Sequence, residues 1–280
     1  MRVGFLGPAG TYSEEAVRAG GGGLEPVPLA SVHDAVAAVR DGRVDRALVP
    51  IENSLEGAVS ATLDALAAED GAVQIAGEVV HPIHHCLIAR AALPLERIAA
   101  VASHPQASGQ CAGFLRTRLP RATVVPAAST ADAVRLVAER PAGESTPWAA
   151  IGSRPAAALY GCEVLEDGVE DPPGSETRFV WVAREAPPAD AGARWKTALV
   201  FWEPAEDAPG WLVRCLAEFA DRGVNLTRIE SRPRREGLGA YMFFVDLDGR
   251  ASEPAVGGAI EALRAHAAAV RVLGSFPAAP

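Results

Sequence analysis

Arg46-Ala47-Leu48-Val49-Pro50-Ile51-Glu52-Asn53-Ser54-Leu55-Glu56-Gly57 opens as an apolar strand and closes on a run of polar side chains. Residues 58–68, which follow, carry the apolar spacing of a helix. In an open α/β sheet, ligands collect at the carboxyl ends of the strands, where Glu52, Asn53 and Ser54 stand. A helix cap needs one such side chain; three together point to a binding site. Upstream, the pattern alternates a strand over 2–6, a helix over 11–20, a strand over 27–29 and a helix over 32–40. This β-α-β-α rhythm predicts a mainly parallel sheet with helices on both faces.

Downstream the rhythm repeats. Strands over 72–80 and 86–89 bracket Pro82, and elements follow over 98–103, 105–119, 122–126 and 130–139. A strand over 149–151, a helix over 154–160 and a strand over 178–182 complete the region. Two α/β units in tandem predict two lobes with a crevice at the carboxyl ends of their strands. A Pro/Ala/Gly-rich stretch without apolar periodicity marks a linker at 185–193, dividing residues 1–184 from residues 194–280. Beyond it the pattern is strand 197–202, helix 211–222, strands 226–231 and 241–247, helix 255–267 and strand 270–276. That is the ferredoxin-like β-α-β-β-α-β order.

Composition narrows the function classes. The 280 residues are 49% hydrophobic and 22% charged, with a formal net charge of −9. Lys196 is the single lysine among 26 basic residues, a bias we read as genomic rather than functional. A net negative chain without a basic block is a poor partner for nucleic acid or an anionic membrane surface. Apolar runs are interrupted well short of a bilayer's width, and the first one is too short for a signal peptide. Cys86, Cys111, Cys162 and Cys215 are scattered, with no CxxC pair. We therefore expect reduced thiols, a cytoplasmic protein and no cysteine metal site.

Several short motifs bear on chemistry. Gly4-Phe5-Leu6-Gly7-Pro8-Ala9-Gly10 has the wrong spacing for a dinucleotide fingerprint, and Pro8 occupies the turn that would cradle a pyrophosphate. Thr11 and Glu14 form a capping-box pattern, and the helix start they mark can receive a carboxylate. Ser103-His104-Pro105-Gln106, with Gln110 one helical turn on, repeats the strand-to-helix design, and Ser129 to Asp132 read as a structural cap. His81, His84, His85 and Cys86 sit close in sequence. They alternate across a strand and lack the carboxylates or second cysteine of a tetrahedral set, so no metal is predicted. Glu176-Thr177-Arg178-Phe179 begins the last strand of the first region, reached through the acidic, Pro-rich stretch 170–174.

Taken in order, Gly7–Ser13, Val49–Ser54, His104–Ala107 with Gln110-Cys111, and Thr177-Arg178-Phe179 resemble the prephenate dehydratase family. The run from Gly223 to Pro233 is similar to that family's ACT regulatory domain. The resemblance implies a catalytic region of periplasmic-binding-protein-like (type II) fold over 1–184 and an ACT domain over 194–280. It implies conversion of prephenate to phenylpyruvate with loss of water and carbon dioxide, without a cofactor, under control by phenylalanine. Thr177 is then the donor to the leaving hydroxyl. Thr11, Tyr12, Ser13, Asn53, Ser54, Ser103, Gln106, Gln110, Arg178 and Phe179 line the substrate, with His104 and Pro105 shaping a loop. Gly210, Leu212, Asn225, Leu226, Glu230, Ser231 and Arg232 take the phenylalanine. A homodimer or homotetramer is implied as well.

Two positions depart from the family pattern. Ser175 stands where an asparagine is usual, and Trp211 where a small residue is usual, so its indole is expected to narrow the effector pocket. The rival readings are an arogenate dehydratase, and a non-catalytic small-molecule binder carrying an ACT sensor.

Overall fold

The computed structural model describes residues 1–69, 71–141, 145–171, 173–186, 192–203 and 209–279. The chain begins β1 (Arg2–Leu6), α1 (Tyr12–Ala19), β2 (Glu25–Leu29), α2 (Val32–Arg40), β3 (Arg46–Asn53), β4 (Gly57–Ala58), α3 (Ser60–Ala68) and β5 (Gln74–Pro82). Next come β6 (Cys86–Ala89), β7 (Ala100–Ser103), α4 (Pro105–Gln110), α5 (Ala112–Arg118), β8 (Thr123–Pro126) and α6 (Thr130–Ala138). Then β9 (Trp148–Gly152), α7 (Arg154–Leu159), β10 (Glu163–Asp167) and β11 (Glu176–Ala183) end the α/β region. The C-terminal module is β12 (Trp195–Trp202), α8 (Trp211–Ala220), β13 (Leu226–Pro233), β14 (Tyr241–Asp248), α9 (Pro254–Arg264) and β15 (Ala269–Pro277). This is the expected class, α/β sheets followed by a β-α-β-β-α-β module. Among the described residues, no helix is long and apolar enough to cross a membrane.

Two compact units divide the chain: residues 1–4, 32–80 and 178–280 form one, and residues 5–31 and 81–177 the other. The chain therefore changes unit inside β1, β5 and β11. Compactness groups residues 194–280 with 32–80, a division other than 1–184 against 194–280. Of the expected linker, residues 187–191 lie outside the described residues.

In the second unit the sheet order is β10-β6-β9-β7-β8. β7 runs parallel to β8 and β9, while β6 is antiparallel to β9 and β10. Alternate residues go to opposite faces, as a two-residue period requires. Leu87, Val101 and Ile151 pack with Ala107, Cys111 and Leu115 of the α4–α5 side. Their neighbours Ile88, Ala102 and Ala150 pack with Val134 and Val137 of α6 and Ala157 of α7. Caps fix where these helices begin. Ser129 Oγ accepts the Asp132 N–H at 2.9 Å, and Ser153 Oγ accepts the Ala156 N–H at 3.2 Å.

Three local expectations fail for identifiable reasons. The single helix over 105–119 is two, broken at Cys111 (φ −112°, ψ 18°). The Asp171 carboxylate accepts the N–H groups of Gly113 and Phe114 there and so starts a second helix. β10 was not expected, because Glu163-Val164-Leu165-Glu166-Asp167 is polar at its ends and bulged against β6. The capping box at α1 is also incomplete. Thr11 makes no side-chain cap; its Oγ1 donates back to the carbonyls of Leu6 (3.2 Å) and Pro8 (3.0 Å). Glu14 still reaches back, taking the Gly10 N–H at 2.7 Å.

In the first unit β1, β3, β11 and β5 lie in that order, with β4 on β3. The C-terminal module belongs to this unit as an antiparallel sheet in the order β13-β14-β12-β15. Leu199 pairs with Val245 and Phe201 with Phe243. That face is covered by Trp211, Cys215 and Phe219 of α8 and Val256, Ile260 and Leu263 of α9, each set at helical spacing. Burying a side chain such as Phe219 stabilises by about 1.5–3 kcal/mol. Trp211 is part of this core, its Nε1–H donating to the His266 carbonyl at 2.6 Å.

The module is tied to α3 and β5 of the same unit. The Arg271 guanidinium donates to the carbonyls of Leu66 (3.3 Å), Ala67 (2.6 Å) and Glu69 (3.1 Å) at the end of α3. Arg232 holds the Asp64 carboxylate through two bonds, at 3.1 and 2.9 Å. Gly274 lies so close to the Ile75 backbone that a Cβ would collide with it.

Candidate functional site

A hydrogen-bonded chain of neutral side chains organises the second unit. The Tyr12 hydroxyl lies 2.6 Å from His85 Nδ1 and 3.0 Å from the His84 carbonyl. His85 Nε2 lies 2.9 Å from Gln110 Oε1, and the Tyr12 ring meets the imidazole edge-on. Burial depresses the His85 pKa, and the smaller opposing pull of Gln110 and Glu170 leaves it below the ordinary 6.5, so the ring is neutral at pH 7. With Nε2–H donating to Gln110, Nδ1 is the acceptor and takes the Tyr12 proton. Burial first, and then nearby thiols and carboxylates, holds the Tyr12 phenol well above its usual range, so it stays a donor.

Glu170 clamps the same loop, accepting the His85 N–H at 2.9 Å and facing His84 Nδ1 at 3.1 Å. The Asp171 N–H donates to the Gln110 carbonyl at 2.7 Å. The acidic stretch before Thr177 is thus a brace for the loop that carries His85. His85 itself was read only as an incomplete metal motif. Its partners are 73 and 25 residues away, so no local pattern announces it.

Ser13 is buried in the first turn of α1, whose first amides have no side-chain cap, a setting that suits a carboxylate. Gln106 projects from α4 as an exposed side chain, while His104 caps that helix by accepting the Gln106 N–H at 3.3 Å. Ser103 does not fit the substrate role expected of it. It is fully buried, and its hydroxyl donates to the Ile151 carbonyl at 2.8 Å, across β7 and β9. Thr177 is 9% exposed. Two residues before it, Ser175, in place of the usual asparagine, is buried and its hydroxyl has no hydrogen-bond partner. Burial pushes the thiols of Cys86 and Cys111 up to about 12, so neither is a thiolate nucleophile.

The first unit holds the remaining expected residues. Asn53 is buried, and its Oδ1 accepts the N–H groups of Leu55 (3.0 Å) and Glu56 (3.1 Å), closing the turn after β3; Ser54 is exposed. Arg178 faces three carboxylates: Glu78 at 2.6 Å, Asp246 at 2.6 Å and Glu52 at 3.4 Å. Its expected role toward a substrate carboxylate has no support in these surroundings, because protein carboxylates already neutralise it. Phe179 is 1% exposed and belongs to the core, so it does not line a site.

In the module, Gly210 adopts a left-handed conformation (φ 77°) at the start of α8, and Leu212 and Leu226 rest on the core. Asn225 Nδ2 donates to Asp248 at 2.8 Å. Arg232 is engaged by Asp64, whereas Ser231 is exposed and Glu230 half-buried. Among the described residues, no group of three or more His, Cys, Asp or Glu side chains is placed to hold a metal ion.

Comparison with known proteins identifies the family. The family model for prephenate dehydratase matches residues 3–187, and that for the ACT domain matches residues 205–265. A prephenate dehydratase from Mycobacterium bovis is 40% identical over 290 residues, covering all of this chain and 88% of the relative. The crystal structure of prephenate dehydratase in complex with L-Phe from Arthrobacter aurescens superposes with a TM-score of 0.89. It is 40% identical and covers 99% of this chain and 90% of that one. A structure described as a novel type of quorum-quenching acylase, GqqA, has a TM-score of 0.85 at 31% identity, covering 100% and 99%. The chain belongs to the prephenate dehydratase family, with an ACT domain following its catalytic region.

Proposed function

We propose that the protein converts prephenate to phenylpyruvate, with Thr177 donating a hydrogen bond to the departing hydroxyl and phenylalanine acting through the ACT domain. The substrate is a dianion. As its ring carboxylate leaves as carbon dioxide, the bonding pair flows through the ring and expels hydroxide from the opposite carbon. One proton is taken up to give water, and aromatisation drives the change. Such a step needs orientation, carboxylate binding and a donor at the leaving oxygen; it needs neither an electron sink nor a general base.

The observation that carries this reading is the neutral chain Tyr12–His85–Gln110, which joins two of the loops assigned to the substrate. It fixes the orientation of these side chains through internal hydrogen bonds and adds no charge of its own. The first amides of α1, with Tyr12 and Ser13, receive one substrate carboxylate, and Gln106 and Gln110 supply further polar contacts. Asn53 shapes its turn and leaves Ser54 exposed for a substrate contact. Residues 1–184 form the catalytic region and 194–280 the ACT domain, where Gly210, Leu212, Asn225, Leu226, Glu230, Ser231 and Arg232 are assigned to the effector.

A cytoplasmic setting fits the free thiols of all four cysteines. Copies of the chain associate as dimers or tetramers, for which β13 offers an outer strand with Ile229 46% exposed; light scattering of the pure protein tests this.

Incubation with prephenate, with and without phenylalanine, tests the activity. Phenylpyruvate should form, and phenylalanine should raise the substrate concentration required. Arogenate serves as the comparison substrate. Faster turnover of arogenate would reassign the substrate.

A further inference from the structure

We propose that Arg178 is a positioning residue for Thr177, and that the C-terminal module controls it through Asp246. This rests on the dehydratase reading above and extends it to how the module reaches the reacting end of β11.

Thr177 and Arg178 are consecutive in β11, so their Cα atoms are held about 3.8 Å apart by one peptide unit. The Arg178 guanidinium is anchored from two sides. Glu78 on β5 takes its Nε–H at 2.6 Å, and Asp246 on β14 takes Nη1–H at 2.6 Å. Both carboxylates are 2% exposed, and each has a second cationic partner: Lys196 on β12 reaches Glu78 at 2.8 Å, and Arg228 on β13 reaches Asp246 at 3.3 Å. Glu78 also accepts the Ala279 N–H at 3.0 Å. Three cations (Arg178, Lys196, Arg228) therefore meet three carboxylates (Glu78, Asp246, Glu52).

A buried charge is tolerated only while it is paired, so these groups are stable together and costly apart. Lys196, Arg228, Asp246 and Ala279 all come from the module. Any displacement of β14 relative to β11 must carry the Arg178 side chain along or strip it of a partner, and one peptide unit joins Arg178 to Thr177. The network is also incompletely satisfied. Arg178 Nη2 is buried without a hydrogen-bond partner, and so is Arg228 Nη1. A partly satisfied buried network is where a second arrangement costs least. An effector that favours a different placement of the module therefore has a route to the donor hydroxyl without touching the substrate.

The test uses the full chain. Asp246→Asn keeps the shape and removes the charge; Glu78→Gln does the same at the other anchor and serves if Asp246→Asn fails to fold. For each folded variant, steady-state kinetics with prephenate are measured with and without phenylalanine, and phenylalanine binding is measured by calorimetry. The expected result is a kcat lower by about 10–100-fold, the scale of a misplaced reacting group, with KM within about twofold. Phenylalanine should still bind, yet change the rate less than in the unaltered protein. Wild-type kcat in a folded Asp246→Asn variant would overturn the proposal. So would a lowered kcat with an unchanged response to phenylalanine, since the module would then act by another route. Failure of the unaltered protein to form phenylpyruvate would count against the dehydratase reading instead.

Discussion

Two buried polar networks, one in each unit, are built on opposite principles. The one in the second unit, Tyr12–His85–Gln110, is neutral: burial lowers the imidazole pKa and raises that of the phenol. The one in the first unit is fully ionic. Burial pushes the Arg178 guanidinium down, but Asp246 and Glu78 outweigh it and hold it above its ordinary value. A neutral network orients its side chains through internal hydrogen bonds without adding charge of its own. An ionic one balances three cations against three carboxylates, so it serves to hold strands together. The contrast explains why the most conspicuous arginine of the motif is a poor candidate for substrate binding.

Thr177 aside, the largest effect should come from breaking the neutral side. His85→Leu leaves the Gln110 amide without its imidazole partner and the Tyr12 hydroxyl with the His84 carbonyl alone, a cost of about 1–3 kcal/mol. That corresponds to a loss of about 10–100-fold in kcat/KM for prephenate, while the thermal midpoint of the module should hold. Loss of the module's response with intact kcat/KM would contradict the division of labour. Next comes the ionic side's mechanical support. Gly274→Ala drives a Cβ into the Ile75 backbone and should destabilise by about 1–3 kcal/mol, read from denaturant unfolding, without altering any charge.

A pH series separates the two networks. Burial pushes the Glu78 carboxyl up, but Arg178, Lys196 and the Ala279 N–H outweigh it and hold it below its ordinary 4.5. Since the folded value is the lower one, its contribution to stability is complete above 4.5 and is lost as pH falls through the depressed value. The thermal midpoint should fall as acid is added below 4.5, and less so in Glu78→Gln. The smallest effect belongs to the rim. Arg235 is 78% exposed and shares Asp64 with Arg232, so Arg235→Ala should change stability by less than about 0.5 kcal/mol. A larger loss would mean that the exposed pairs, and not the buried cluster, hold the module.

Much of this was legible in the sequence, and unevenly so. The β-α-β-β-α-β order followed from apolar spacing, strand ends and helix starts picked out Thr11, Asn53 and Gln110, and Tyr12 came from the family resemblance. Periodicity cannot show which partner a buried side chain meets. Ser103 resembled a ligand contact because it ends a strand before a helix, yet its hydroxyl serves a neighbouring strand. Arg178 resembled an anion receptor because its carboxylates lie 126, 100 and 68 residues away in the chain. His85 was overlooked because its nearest histidines suggested a metal first. β10 escaped because a bulged strand with charged ends lacks clean alternation.

The central claim is that Thr177 supplies a hydrogen bond realised in the transition state. It is tested most directly by the steady-state kinetics of Thr177→Ala and Thr177→Ser with prephenate. Loss of such a donor should lower kcat of Thr177→Ala by about 10²–10³-fold with KM little changed, and Thr177→Ser should retain part of the rate. A Thr177→Ala enzyme that keeps its kcat and changes only KM would contradict the account.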